Sequence, residues 1–268
     1  PNKPETYNIL PSIGPSPHDR VLDRAGIPFH ESPAPSYSAF QPWSSPVSTH
    51  TLQRTVRVSY DTVADEYAAR IDGELTHKPF DRQLLDNFAE QVKGQGQVAD
   101  LGCGPGMVTQ YLQDQGVTVT GIDISPRMIQ RASELHPKVH FKCEDFTRLE
   151  VLDNQWAGIV AMYSLIHLPR EEVQSVLRDF FRVLAPGGLL LLAFHLGSET
   201  RHASDWWDRP VELDFVFFEM SEMLSSVWGA GFDSELHVER DPYPEIELQT
   251  RRGYILAKKP SLTLVAEG

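Results

Sequence analysis

Two periods of apolar residues divide the chain. From Gln97 onward, short continuous apolar runs alternate with stretches of helical period. The runs are Gln97–Leu101, Val117–Ile122, Val139–Lys142, Ala157–Met162 and Leu189–Phe194. Between them lie helical patterns at Gly106–Gln115, Pro126–Leu135 and Arg170–Leu184. Strands that are apolar throughout and alternate with helices predict a parallel sheet covered on both faces. Upstream, Tyr60, Val63, Ala64, Tyr67 and Ile71 recur at helical spacing and predict an amphipathic helix, with Ser59 or Asp61 as its cap. A second helix follows Pro79, carries Leu84, Leu85, Phe88 and Val92 on one face, and stops at Gly94 and Gly96. Beyond Phe194 a loop rich in Trp, His and acidic residues is expected, then a helix near 218–229. Two further strands, Ser234–Arg240 and Gly253–Lys259, should pair antiparallel, because the link between them is short and lacks a helical period.

Composition changes this picture at one end. Ten of the 20 prolines fall within residues 1–46, where no period survives. We read 1–50 as an extended proline-rich arm, 51–260 as the folded domain and 261–268 as a tail. The arm either trails in solvent or acts as a strap, with Phe29, Tyr37, Phe40 and Trp43 docking on the body or on a second copy in a homodimer.

The net charge of −13 argues against nucleic acid as a partner, since a phosphate-backbone binder needs a basic face. Two cysteines rule out a disulfide scaffold and a zinc cluster of thiolates, and fit a reducing, cytoplasmic setting. No apolar run reaches the roughly 20 residues that span a bilayer, and no signal peptide is read at the start. No membrane partner is expected.

The chemistry concentrates at Asp100-Leu101-Gly102-Cys103-Gly104-Pro105-Gly106, where a buried strand enters a glycine turn that opens a helix. Glycines allow positive φ and close approach of backbone to a ligand. The next strand ends at Asp123, about 20 residues on, where a carboxylate can grip the two hydroxyls of a ribose. A dinucleotide site would put its third glycine where Met107 stands, and a pyrophosphate would be repelled by Asp100.

The array resembles the class I S-adenosylmethionine-dependent methyltransferases, small-molecule branch, over roughly Tyr60 to Pro260. Asp100–Gly106 matches the family's first motif and Gly121–Ser125 its ribose-binding acid. Glu144-Asp145-Phe146 matches the adenine-contact position, Met162–His167 the segment lining the methionine moiety, and Leu184–Gly188 the turn before strand five. The helix Ser59–Tyr67 matches the amino-terminal element that covers the cofactor. The resemblance implies a Rossmann-like seven-stranded sheet, mostly parallel with the last strand antiparallel. It implies S-adenosylmethionine held by Tyr60, Tyr67, Asp100, Gly102, Cys103, Gly104, Gly106, Asp123, Ile124, Met128, Glu144, Asp145, Phe146, Met162 and Tyr163.

Methyl transfer from a sulfonium is an in-line displacement, so the protein mainly aligns the reactants and excludes water. A phenol or alcohol nucleophile also needs a base. His167 and His195, after the fourth and fifth strands, are the catalytic candidates. Trp206, Trp207 and Glu245 are candidates for the substrate wall. No metal is expected, because only Asp123 and Asp145 stand out as acids near the cleft. The expected substrate is a small organic molecule methylated at O, N or C. Three alternatives stay open: a SAM-dependent rearrangement or cyclisation, a cofactor sensor that transfers nothing, and a nicotinamide oxidoreductase on a related sheet.

Overall fold

The computed structural model describes residues 36–38, 49–71 and 73–261. The proline-rich arm, with Phe29, Phe40 and Trp43, therefore lies outside the described residues apart from β1 (Ser36–Ser38), as do residues 262–268.

Seven strands form the central sheet: β2 (Gln97–Leu101), β3 (Val119–Asp123), β4 (His140–Cys143), β5 (Trp156–Met162), β6 (Leu184–His195), β9 (Asp233–Arg240) and β10 (Arg252–Lys258). Their spatial order is β4-β3-β2-β5-β6-β10-β9. All run parallel except β10, which pairs antiparallel with both β6 and β9. The last strand is thus the reversed one, as expected, and sits second from the edge. β2 has β3 on one side and β5 on the other, so the chain reverses its winding there and leaves a crevice beyond the carboxyl ends of these strands.

Helices α2 (Pro79–Val92), α3 (Met107–Asp114), α4 (Pro126–Leu135), α5 (Arg170–Val183) and α6 (Met220–Gly229) accompany the sheet. Two apolar layers result. Phe180, Phe194, Ile159 and Leu190 pack in one, and Phe88, Leu112, Val160 and Leu191 in the other. Each full burial of such a side chain is worth about 1.5–3 kcal/mol. The fit is close: a Cβ at Gly158 would stand 2.7 Å from the Phe88 ring.

The first helix, α1 (Thr49–Ile71), is longer than the apolar pattern predicts, and the expected caps are interior to it. Tertiary docking uses them instead. Ser59 Oγ donates to the Glu212 carbonyl and accepts from the Glu212 amide, at 3.2 and 2.9 Å. Asp61 accepts from Ser125 Oγ at 2.6 Å and from the Arg127 amide. Ser125 also caps α4 by accepting from the Met128 amide. So α1 is fastened across the carboxyl ends of the sheet, between α4 and the segment around Glu212.

The expected loop after Phe194 is in fact a hairpin, β7 (Thr200–Trp206) and β8 (Arg209–Val216), extended by β1 into a three-stranded sheet. Buried Val211, Leu213 and Phe215 show the strand period. The turn hid it. Trp207 and Asp208 both adopt positive φ, 54° and 58°, where two-residue hairpins favour Asn-Gly.

Candidate active site

The crevice over β2, β3 and β5 is a cavity of about 1120 Å³ including its mouth, roofed by α1. Its floor is the glycine turn. Gly102, Gly104 and Gly106 all have positive φ (72°, 54° and 87°). A Cβ on Gly102 would run into Ser164, so only glycine lets the turn pass beneath the end of β5. Gly106 plays another part. It starts α3, and a Cβ there would stand 2.6 Å from the Phe141 ring, so it packs helix on sheet and does not line the cavity.

Asp100 and Asp123 face the cavity from adjacent strand ends, both buried. Asp123 accepts from the amides of Gly104 and Ser125 at 2.9 and 2.8 Å, and Asp100 accepts from Thr109 Oγ1 at 2.6 Å. Burial pushes Asp100 up to about 7 and Asp123 up to about 6. Neither has an ion-pair partner among the described residues. Two buried carboxylates that lack cations suit a ligand bringing hydroxyls and positive charge. Ile124, Met128, Phe146, Met162 and Tyr163 supply apolar and aromatic walls, and Cys103 lies buried in the turn. Burial raises the Cys103 thiol well above its ordinary value, which marks a packing residue and not a nucleophile.

Tyr60 and Tyr67 descend from α1 into the cavity. His167, in a short 3-10 turn after β5, accepts or donates at both nitrogens. Its Nδ1 lies 2.8 Å from the Asp214 carbonyl, which can only accept, so Nδ1 carries the proton. Nε2 then accepts from Tyr60 Oη at 2.7 Å. Burial pushes the imidazole down to about 4, so it is neutral at physiological pH.

The other candidates stand elsewhere. His195 ends β6 but does not line the cavity. Its Nδ1 meets Thr250 Oγ1 at 2.8 Å, and its ring lies against Phe217 and Tyr163 at 5.2 and 5.1 Å. Burial, with Arg252 and Lys78 nearby, pushes it down to about 3. Trp206 and Trp207 pack behind the tyrosines of α1: Trp206 lies 6.1 Å from Tyr60 and 5.6 Å from Tyr67. Glu144 pairs with Lys142 at 2.6 Å, and Asp145 caps the turn Phe146–Arg148 by accepting from Thr147. Neither acid lines the cavity. Glu245 is exposed, whereas Glu247, two residues on, is buried.

Glu247 belongs to a buried charged group that the sequence reading missed. It pairs with Arg240 at 2.7 Å, Arg252 at 3.1 Å and Lys78 at 3.4 Å. Those cations hold its carboxyl down to about 2 against the effect of burial. Asp81 takes a bond from Arg240 at 2.7 Å, and Tyr254 reaches both Asp81 and Tyr163. Lys78 and Asp81 line the cavity. Burial alone would lower Lys78, but Glu74, Tyr163 and Glu247 outweigh it and raise the amine to about 12. The only sequence signal was position, since both flank the start of α2.

A family model described as a methyltransferase domain matches residues 98–188. The methyltransferase-family protein YqeM of Bacillus subtilis (strain 168) is 31% identical over 183 residues, 65% of this chain and 70% of that protein. The chain belongs to the class I S-adenosylmethionine-dependent methyltransferases. The 2-methyl-6-phytyl-1,4-hydroquinone methyltransferase of Synechocystis sp. (strain ATCC 27184 / PCC 6803 / Kazusa) is 33% identical over 119 residues, 42% of this chain and 37% of that protein's length. Two solved structures share the methyltransferase's fold. One is the Burkholderia thailandensis 1,6-didemethyltoxoflavin-N1-methyltransferase with S-adenosylhomocysteine bound (TM-score 0.61, 18% identity, 85% of this chain and 99% of that one). The other is the [4+2]-cyclase SpnF (TM-score 0.61, 20% identity, 78% and 97%). The cofactor of the methyltransferase is S-adenosylmethionine, and the glycine cradle with its two unpaired buried carboxylates fits that group. No helix among the described residues is long and apolar enough to cross a membrane.

Proposed function

We propose that this methyltransferase acts on an oxygen, nitrogen or carbon nucleophile of a small organic molecule. The observation that carries the reading is the Tyr60–His167 pair inside the cavity, with the His167 tautomer fixed by the Asp214 carbonyl. S-adenosylmethionine, when bound, supplies a methyl carbon activated by positive sulfur. In our reading Asp123 orients the ribose hydroxyls and Asp100 faces the positively charged methionine end. Tyr60 meets the acceptor, and neutral His167 Nε2 draws the phenol proton of Tyr60, so that Tyr60 Oη can take a proton from the acceptor. α1 and the hairpin behind it exclude water. A mostly apolar, aromatic cavity under a helical roof, on a chain of net charge −13, supports a compact uncharged or cationic acceptor over a polyanion.

Incubation with methyl-labelled S-adenosylmethionine and a metabolite extract, read by mass spectrometry, tests this. Label on a small molecule is the expected result. Label confined to protein or nucleic acid, or a rearranged product without label, would overturn it.

A further inference from the structure

The buried charged group beside the cavity does not balance by itself. Lys78, Arg240 and Arg252 are its cations, and the carboxylates sunk among them are Asp81 and Glu247 alone, so one positive charge is left over. Glu247 Oε1 is shared by all three cations. Arg240 Nη2 stands 2.8 Å from it, Arg252 Nε 3.1 Å and Lys78 Nζ 3.4 Å. Lys78 is therefore the least well served, and of the three cations it is the one that lines the cavity. A buried cation needs a close partner, and here the place for one is on the cavity side.

Glu74 stands in that place. Its Oε1 lies 2.8 Å from Lys78 Nζ, and it lines the cavity too. It differs from the other two carboxylates in what it can do. The side chains of Glu247 and Asp81 are 0% and 2% exposed, whereas that of Glu74 is 24% exposed. Glu74 can turn out into water at little cost, because a partly exposed ion pair is weak. The other two would leave buried cations behind. Glu74 opens the short 3-10 turn Glu74–His77, whose next residue, Leu75, is buried. The turn is thus anchored, and the exchange is a rotation of one side chain.

The pair sits at the glycine-turn end of the cavity. The charges of Glu74, Lys78 and Asp123 all act on the Tyr67 phenol, and a Cβ on Gly104 would stand 3.9 Å from the Tyr67 ring. The cavity wall therefore offers an acid without a cation, Asp100, and a cation whose partner is replaceable, Lys78. A ligand end that bears an ammonium and a carboxylate answers both.

We propose that Glu74 is a built-in competitor for the cofactor: it holds Lys78 in ligand-free protein and gives it up to the α-carboxylate of the amino-acid end. The competition lowers cofactor affinity by the fraction of molecules in which Lys78 is engaged. It also discriminates against adenosine compounds that lack a carboxylate, because they leave Lys78 with Glu74. The proposal rests on the cofactor assignment made above, and it gives the 3-10 turn a role in setting affinity and selectivity.

The test is calorimetric titration of the full chain with S-adenosylhomocysteine and with its decarboxylated analogue, S-adenosyl-3-thiopropylamine. The wild type should bind S-adenosylhomocysteine about tenfold or more tightly than the analogue. Glu74→Gln should tighten S-adenosylhomocysteine about three- to tenfold and give the analogue no gain, so the gap widens. Glu74→Ala repeats the comparison with no polar group left to hold Lys78. Lys78→Met should bring the two ligands within about threefold. If that variant does not fold, as judged by circular dichroism and a cooperative melt, the two Glu74 variants carry the test. A pair that merely staples the turn would give the opposite result, a lower melt with both ligands weakened alike. Failure of S-adenosylhomocysteine to tighten in either Glu74 variant would overturn the proposal. So would a wild type that binds both ligands equally, which leaves the cofactor site intact and removes only the exchange at Lys78. A wild type that binds neither ligand would remove the cofactor site and this inference together.

Discussion

The carboxyl ends of β5 and β6 are neighbours in the sheet, and each leads to a buried histidine held neutral by its surroundings. Read along the chain, the two are alike. In space they differ in what reaches them. His167 is approached by α1 and β8: Tyr60 from the roof, the Asp214 carbonyl from the hairpin, and the cavity between. His195 is approached by β10 and the loop before it. Arg252 is its partner in the register, Thr250 takes its Nδ1, and Phe217 stacks on its ring. The first histidine has been given a proton donor beside a cavity. The second has been sealed into a wall. A strand end supplies position, and the distant elements that close over it decide between chemistry and packing.

The largest effect expected from this contrast is on turnover. His167→Ala should lower kcat for the acceptor found by methyl labelling about 100-fold, with S-adenosylhomocysteine affinity changed less than threefold. Tyr60→Phe should fall in the same direction, since it removes the proton that His167 accepts. Unchanged turnover in both variants would erase the distinction between the two histidines. His195→Ala should instead cost stability, about 2–3 kcal/mol, because it opens space under Phe217 and takes one of the two side-chain partners of Thr250 Oγ1, leaving Arg252. Its kcat should stay within about threefold. A melt that does not move while turnover collapses would reverse the two roles.

The floor of the candidate site was legible because its residues are local. Asp100 to Gly106 is one uninterrupted turn, Asp123 ends the next strand, and β2 and α4 have the bounds their apolar patterns predicted. The rest of the site depends on contacts between distant segments. Ser59 meets Glu212, 153 residues away, and Thr250 meets His195, 55 residues away. Nothing in the local pattern around Ser59 or His195 specifies those partners. The hairpin was obscured for a different reason: Trp207-Asp208 makes its turn without the residues that usually announce one. Glu245 and Glu247 were separable only by alternation in an irregular loop, where no period holds.

The two aspartates beneath the cavity give a smaller, pH-dependent effect. Burial raises Asp100 to about 7 from an ordinary value of 3.8, so in ligand-free protein its ionisation opposes folding. The sign follows from proton counting. Between about pH 4 and 7 the folded state holds a proton that the unfolded chain has lost, so this contribution to stability declines as pH rises. His167 and His195 act oppositely below about pH 6.5, where the unfolded chain protonates first, but they are present in both proteins of a pair. Asp100→Asn should therefore gain on the wild type from pH 4 to pH 8, by on the order of 1–3 kcal/mol in urea titrations. A difference that stays flat with pH would show that Asp100 is not held protonated by burial.

The smallest effect should come from the hairpin tip, and it probes the His167 side of the contrast from behind. Trp207 occupies φ 54°, a region unfavourable for a bulky residue, and Trp207→Gly should relieve about 1 kcal/mol of strain there. The same change removes its ring from Trp206 at 4.8 Å, from Tyr67 at 6.1 Å, and from beneath the Arg70 guanidinium at 5.0 Å. Such contacts are worth about 0.5–1 kcal/mol each. The loss exceeds the gain by about 0.5–2 kcal/mol, so the melting temperature should fall by about 2–8 °C. Trp206 stays in place against Tyr60, Tyr67 and Phe215, and β8 still presents the Asp214 carbonyl to His167. Turnover should then hold within about threefold. A tenfold fall with an unchanged melt would mean that the hairpin tip reaches the acceptor itself, and that the strain at Trp207 is kept for that contact and not for the fold.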